Sequence, residues 1–114
     1  MGIECLFMHP DRTIFGQGCV QQIGDCVKEL GRKRAFVVTD KGVASLDIFR
    51  IVEKALKDRD VSYYIYSEVD ENPTDHQVEN GAEIYKKEKA DVLIAVGGGS
   101  SIDSAKAIGV LVNN

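Results

Sequence analysis

Apolar residues along this chain follow two alternating periods. Val92-Leu93-Ile94-Ala95-Val96 runs without a polar break between Asp91 and a glycine cluster, which predicts a strand covered on both faces. Ala35-Phe36-Val37-Val38, within 34–39, is a second run of that kind, and Val61-Ser62-Tyr63-Tyr64-Ile65-Tyr66 is a third strand. Around them the spacing turns helical. Val20, Ile23, Val27 and Leu30 lie on one stripe that Gly31 ends; Val43, Leu46, Phe49, Val52 and Leu56 form a second. Val78, Ala82 and Tyr85 form a third stripe, and Ile102, Ala105, Ile108 and Val112 a fourth. At the amino end, Cys5-Leu6-Phe7-Met8 and Thr13-Ile14-Phe15 flank a turn at Pro10-Asp11, the pattern of a hairpin. The expected order is therefore a hairpin, a helix and three β-α units.

Strands of continuous apolar character need helices on both faces, and each strand-helix-strand crossover is expected to be right-handed. The fold expected is α/β: a doubly wound parallel sheet, Rossmann-like, with an N-terminal β-hairpin. Its parallel strands should lie in the order 61–66, 34–39, 92–96. The strand order then reverses between 34–39 and 92–96, and ligands of such sheets bind outside the carboxyl ends at that boundary. Asp40 and Gly97 would face one another there.

The candidate chemistry is concentrated at the same place. In Gly97-Gly98-Gly99-Ser100 the glycines permit positive φ and close backbone approach, and the helix that follows aims unpaired N–H groups and its positive dipole end at one point. Such a loop suits a phosphate. The same residues also fit a tight strand-to-helix turn with a variant capping box, Ser100 as N-cap and Asp103 at the third helical position. The pattern is not G-x-G-x-x-G, because Ile102 stands where the third glycine would fall. Asp40, at the end of its strand, is placed either to accept hydrogen bonds from ribose hydroxyls or simply to start a helix. Pro73 holds Asn72 extended, and Thr74 with Gln77 offers a second capping box.

Composition narrows the partners. A formal net charge of -4, with no basic stripe, argues against a general nucleic-acid or membrane-surface binder. No signal peptide or membrane-spanning run is visible, so a cytoplasmic protein is expected. Cys5, Cys19 and Cys26 are odd in number and lack C-x-x-C spacing, which favours reduced thiols over a disulfide framework or a zinc knuckle. His9 and His76 are far apart in sequence and make no metal-ligand set. With 114 residues the chain reads as one domain, 1–114, small for a two-substrate enzyme and expected to be part of something longer.

Gly97-Gly98-Gly99-Ser100-x-x-Asp103-x-x-Lys106-Ala107, together with Val37-Val38-Thr39-Asp40, Asn72-Pro73-Thr74 and Phe15-Gly16-Gln17-Gly18, resembles the N-terminal half of the iron-dependent (group III) alcohol dehydrogenases. The resemblance covers essentially the whole chain. It implies a dehydroquinate-synthase-like architecture truncated before its helical domain, with 1–114 as the NAD(P)-binding part. Gly97, Gly98, Gly99 and Ser100 would hold the pyrophosphate and Asp40 the adenosine ribose. Asn72 would line the cleft, and Asp103 would lie toward the nicotinamide end, within i, i+3 reach of Lys106. The implied reaction moves a hydride between a primary alcohol or aldehyde and NAD, with NADP possible but opposed by the charge of Asp40. Iron or another divalent metal would be held by an Asp and three His of the missing half, so no catalytic or metal residue is expected in this chain. The whole protein would be a homodimer, and the isolated chain inactive. Two other readings stand: a glycerol-dehydrogenase-like or dehydroquinate-synthase-like enzyme, and a stand-alone nucleotide-binding or flavodoxin-like signalling module, for which Asp40 lacks companion acids.

Overall fold

The computed structural model describes residues 4–9, 12–17, 27–28, 31, 33–45, 47–69, 75–97 and 99–112. Strands β1 (Glu4–His9) and β2 (Arg12–Gln17) pair antiparallel as the expected hairpin, in the register Leu6 opposite Phe15. The turn at Pro10-Asp11 lies outside the described residues, as does most of the first helical stripe. Val27 and Lys28 are helical, and Gly31 follows with φ +72°, its N–H donating to the Lys28 carbonyl at 2.9 Å. That is the left-handed stop the sequence suggests.

Strand β3 (Arg34–Asp40) leads into a short helix α1 (Lys41–Ala44) and then α2 (Asp47–Lys57). After β4 (Ser62–Val69) come α3 (Asp75–Lys87), β5 (Val92–Gly97) and α4 (Gly99–Val112). The five strands form one sheet in the order β2-β1-β5-β3-β4. β3 runs parallel to both β4 and β5, as the handedness argument requires, and the hairpin joins the sheet through antiparallel pairing of β1 with β5.

The chain moves outward from β3 to β4 and then back past β3 to β5. Two crossovers of one hand that travel in opposite directions must cover opposite faces, and the core divides accordingly. On one face Val27, Phe49, Val52 and Leu56 pack with Ala35, Val37, Val92, Ile94 and Val96. On the other, Ala82, Ile102, Ala105 and Ile108 pack with Phe36, Val38, Tyr66, Leu93 and Ala95. Alternate residues of β3 and β5 thus serve opposite cores, which is why both strands carry long unbroken apolar runs. Phe36, fully buried, stacks on Tyr64 and Tyr66 with centroids 5.7 and 5.6 Å away and meets the edge of Tyr85 at 5.6 Å.

The single helix expected over Val43 to Leu56 is broken in two. Ser45 donates from Oγ to the Gly42 carbonyl at 2.8 Å and from N–H to the Lys41 carbonyl at 3.2 Å, closing the first segment before Asp47 opens the next. A serine that bonds local backbone competes with helix propagation, and apolar spacing does not reveal it.

The amino ends of the strands are fastened by charge. The Asp91 carboxylate accepts the N–H groups of Lys33 and Arg34, both at 3.0 Å, and Arg34 pairs with Glu88 through its side chain. Tyr63 donates to Glu53 at 2.9 Å and ties β4 to α2. Burial, followed by the Glu53 bond and charge, raises the Tyr63 phenol above its ordinary value of 10.0, with Lys57 opposing. These groups lie at or toward the amino ends of the strands, which leaves the carboxyl ends to the site.

Candidate functional site

The carboxyl ends of β3 and β5 carry the two groups the sequence singles out. Asp40 is the last residue of β3 and, with φ -101° and ψ 167°, is still extended. Its Oδ1 accepts the Val43 N–H at 2.7 Å, so it caps α1. The helix-start role is therefore real, and it also fixes the carboxylate. Among the described residues no donor meets Oδ2, which remains able to accept from a ligand.

Gly97 ends β5, buried, with φ +139°. The last registered pair of β3 and β5 is Val38 with Ala95, and Asp40 and Gly97 each lie two residues further along, at the carboxyl ends of their strands. A Cβ on Gly97 would sit 2.9 Å from Ser101 Oγ and 3.4 Å from Val43 Cγ2. Val43 thus touches both halves of the site: its N–H is held by Asp40 and its side chain borders Gly97. The two loops meet as the sheet order requires, and the amino end of α4, a 14-residue helix, opens beside them.

Other expected site residues fall less simply. Gly98 and Asn72 lie outside the described residues, as does Thr74 of the second capping box. Helix α4 begins at Gly99, which puts Ser100 inside its first turn. The capping-box variant with Ser100 as N-cap is therefore corrected: the helix already includes Gly99, one residue before the N-cap that side-chain spacing indicates. Asp103 and Lys106 are exposed on α4, and among the described residues no ion pair joins them. His76 is exposed near the start of α3.

Sequence reading missed three hydroxyls. Thr39, Ser101 and Ser104 are buried, at 0%, 0% and 3% exposure, and their oxygens have no hydrogen-bond partner among the described residues. Thr39 precedes Asp40, and Ser101 backs onto Gly97. The signal was a small polar residue adjoining an apolar stripe, at 101 and 104 beside Ile102 and Ala105, and such residues read as helix surface unless the stripe is wide.

Open α/β sheets with this layout take their ligands at the carboxyl edge where strand order reverses. The chain belongs to the iron-containing alcohol dehydrogenase family, whose model matches residues 10–114. It is 35% identical over 108 residues to an NAD-dependent methanol dehydrogenase of Bacillus methanolicus, covering 95% of this chain and 28% of that protein. A 1,3-propanediol oxidoreductase structure superposes with a TM-score of 0.81 at 30% identity, over 87% of this chain and 26% of that one. An alcohol dehydrogenase from Oenococcus oeni gives 0.79 at 36% identity, over 85% and 26%. The chain thus spans about a quarter of the length of the relatives it matches.

The family name implies iron, and the residues present do not fit it: among the described residues no three His, Cys, Asp or Glu side chains gather where a metal ion could be held. A nucleotide fits better. A buried glycine where any side chain would be strained and a carboxylate with one uncommitted oxygen stand at the same edge. Among the described residues no helix is long and apolar enough to cross a membrane.

Proposed function

We propose that residues 1–114 are the cofactor-binding part of an NAD-dependent alcohol dehydrogenase. The observation that carries this is the contact chain Asp40–Val43–Gly97–Ser101 at the switch point of the sheet, in a chain of this family. Asp40 Oδ2 accepts from the ribose hydroxyls, while Oδ1, bound to Val43, keeps the carboxylate from turning away. Gly97, Gly98, Gly99 and Ser100 hold the pyrophosphate at the amino end of α4, where unpaired N–H groups and the helix dipole favour an anion. Asn72 lines the cleft, and Asp103 lies toward the nicotinamide.

Bound NAD supplies the hydride acceptor for a primary alcohol, and the reverse step reduces the aldehyde. No acid, base or metal ligand for that chemistry is assigned to this chain, whose part is to bind and orient. The whole protein is a cytoplasmic homodimer in this reading, and its other residues supply the metal and the alcohol pocket. The relatives act on methanol and on 1,3-propanediol by name, which supports a small primary alcohol as the substrate class.

Asp40→Ser is the test, because serine keeps a capping oxygen and removes the charge. By calorimetry the wild-type chain is expected to bind NAD more tightly than NADP. Loss of a charge-assisted bond, about 1.5–3 kcal/mol, should weaken NAD at least tenfold and narrow the gap to NADP. No binding of NAD by the wild type, or an unchanged ratio in the variant, overturns the placement.

A further inference from the structure

A second acid and a base share the rim with Asp40. Lys41 is the first residue of α1, and its Nζ lies 3.8 Å from Oε2 of Glu68, the penultimate residue of β4. Strand register pairs Asp40 with Val69 across an irregularity that begins after Val38, so Glu68 stands one strand outward at nearly the level of Asp40. Among the described residues the rim thus carries the carboxylates of Asp40 and Glu68 and the ammonium of Lys41, and the ammonium is drawn to the outer carboxylate. Both side chains are well exposed, at 77% and 59%. A pair this exposed is weak and exchanges with solvent, so a stronger anion nearby can compete for the lysine.

We propose that Lys41 and Glu68 form a latch that sets discrimination at the 2′ position of the bound nucleotide. The proposal rests on the reading of Asp40 as the ribose acid. A ribose with a free 2′-hydroxyl meets Asp40 as a hydrogen-bond acceptor. A 2′-phosphate meets Asp40 and Glu68 as like charges, while the adjacent cation is engaged elsewhere. Neutralising Glu68 removes one repulsive charge and also frees Lys41, whose flexible four-carbon stem lets the ammonium swing back over the residue it follows. The second effect separates a latch from simple repulsion.

The experiment titrates ADP-ribose and 2′-phospho-ADP-ribose into the chain at low ionic strength and reads the ratio of their Kd values. These probes carry the 2′ position without needing a nicotinamide site. Glu68→Gln is expected to shift the ratio toward the 2′-phosphorylated ligand by about two- to fivefold, the range for one exposed ion pair. In a Lys41→Met background the same substitution should shift it by less than half as much. An unmoved ratio in Glu68→Gln overturns the latch, and so does an equal shift with and without Lys41. If those results come from a wild type that binds ADP-ribose through Asp40, the latch alone fails. If neither ligand binds the wild type, the ribose site fails and the latch with it.

Discussion

Gly97 shows at the scale of one residue why the glycine turn has its composition. Its φ of +139° is a conformation that a residue with a Cβ adopts only under strain, and the added carbon would also press on Ser101 Oγ at 2.9 Å. Gly97→Ala is expected to lower stability by about 1–3 kcal/mol from the backbone alone, read as a lower denaturant midpoint at unchanged slope. Ser101→Ala removes a buried hydroxyl that has no partner among the described residues, so by itself it should be neutral or stabilising, and combined with Gly97→Ala it should restore part of the loss. A double variant no more stable than Gly97→Ala would mean that Ser101 is not what the added carbon meets. The importance of Gly97 was legible because a glycine directly after a buried strand marks a backbone turn that a side chain would obstruct. Ser101 was not legible, because its role comes from a contact across the turn, which sequence spacing does not encode.

Helices α3 and α4 raise the corresponding question for elements. Gly81, in mid-helix, lowers the propensity of α3, yet a Cβ there would sit 2.6 Å from Ile108 Cδ1 and 3.1 Å from Tyr66 Cε2. Ile108 is fully buried and Tyr66 is fixed through its hydroxyl, which donates to the Gln77 carbonyl at 2.8 Å and accepts from Asn80 at 3.3 Å. Alanine gains roughly 1 kcal/mol of helix propensity over glycine, whereas overpacking a closed core costs about 1–3 kcal/mol. Packing should win, and Gly81→Ala is expected to lower the melting temperature; a rise would show that Ile108 has room to shift. The stripes Val78, Ala82, Tyr85 and Ile102, Ala105, Ile108 were legible from period alone, since both helices bury one face. The break at Ser45 was not, because it depends on where a hydroxyl finds a carbonyl.

For the whole molecule, the order of β4, β3 and β5 followed from handedness and from the need for two covered faces, both of which act on any chain with this pattern. The hairpin could be placed in sequence but not in the sheet: its pairing with β5 is a choice of edge, and apolar period says nothing about which edge a strand takes. The same limit governs function. The site proposed at the switch point would bind and orient a nucleotide, but oxidation of an alcohol also needs a group that holds the substrate oxygen and accepts its proton. Among the described residues no three potential ligands gather to hold a metal, and the chain covers 28% of the methanol dehydrogenase it resembles. The purified 114-residue chain is therefore expected to bind NAD without reducing it, in the presence of methanol, ethanol or 1,3-propanediol with added Fe²⁺ or Zn²⁺. Binding is followed by calorimetry and turnover by the appearance of NADH. Binding with no turnover agrees with a division of labour in which this part holds the cofactor. Alcohol-dependent NADH formation that is lost on chelation would show that the chain carries a metal site of its own and would overturn that division.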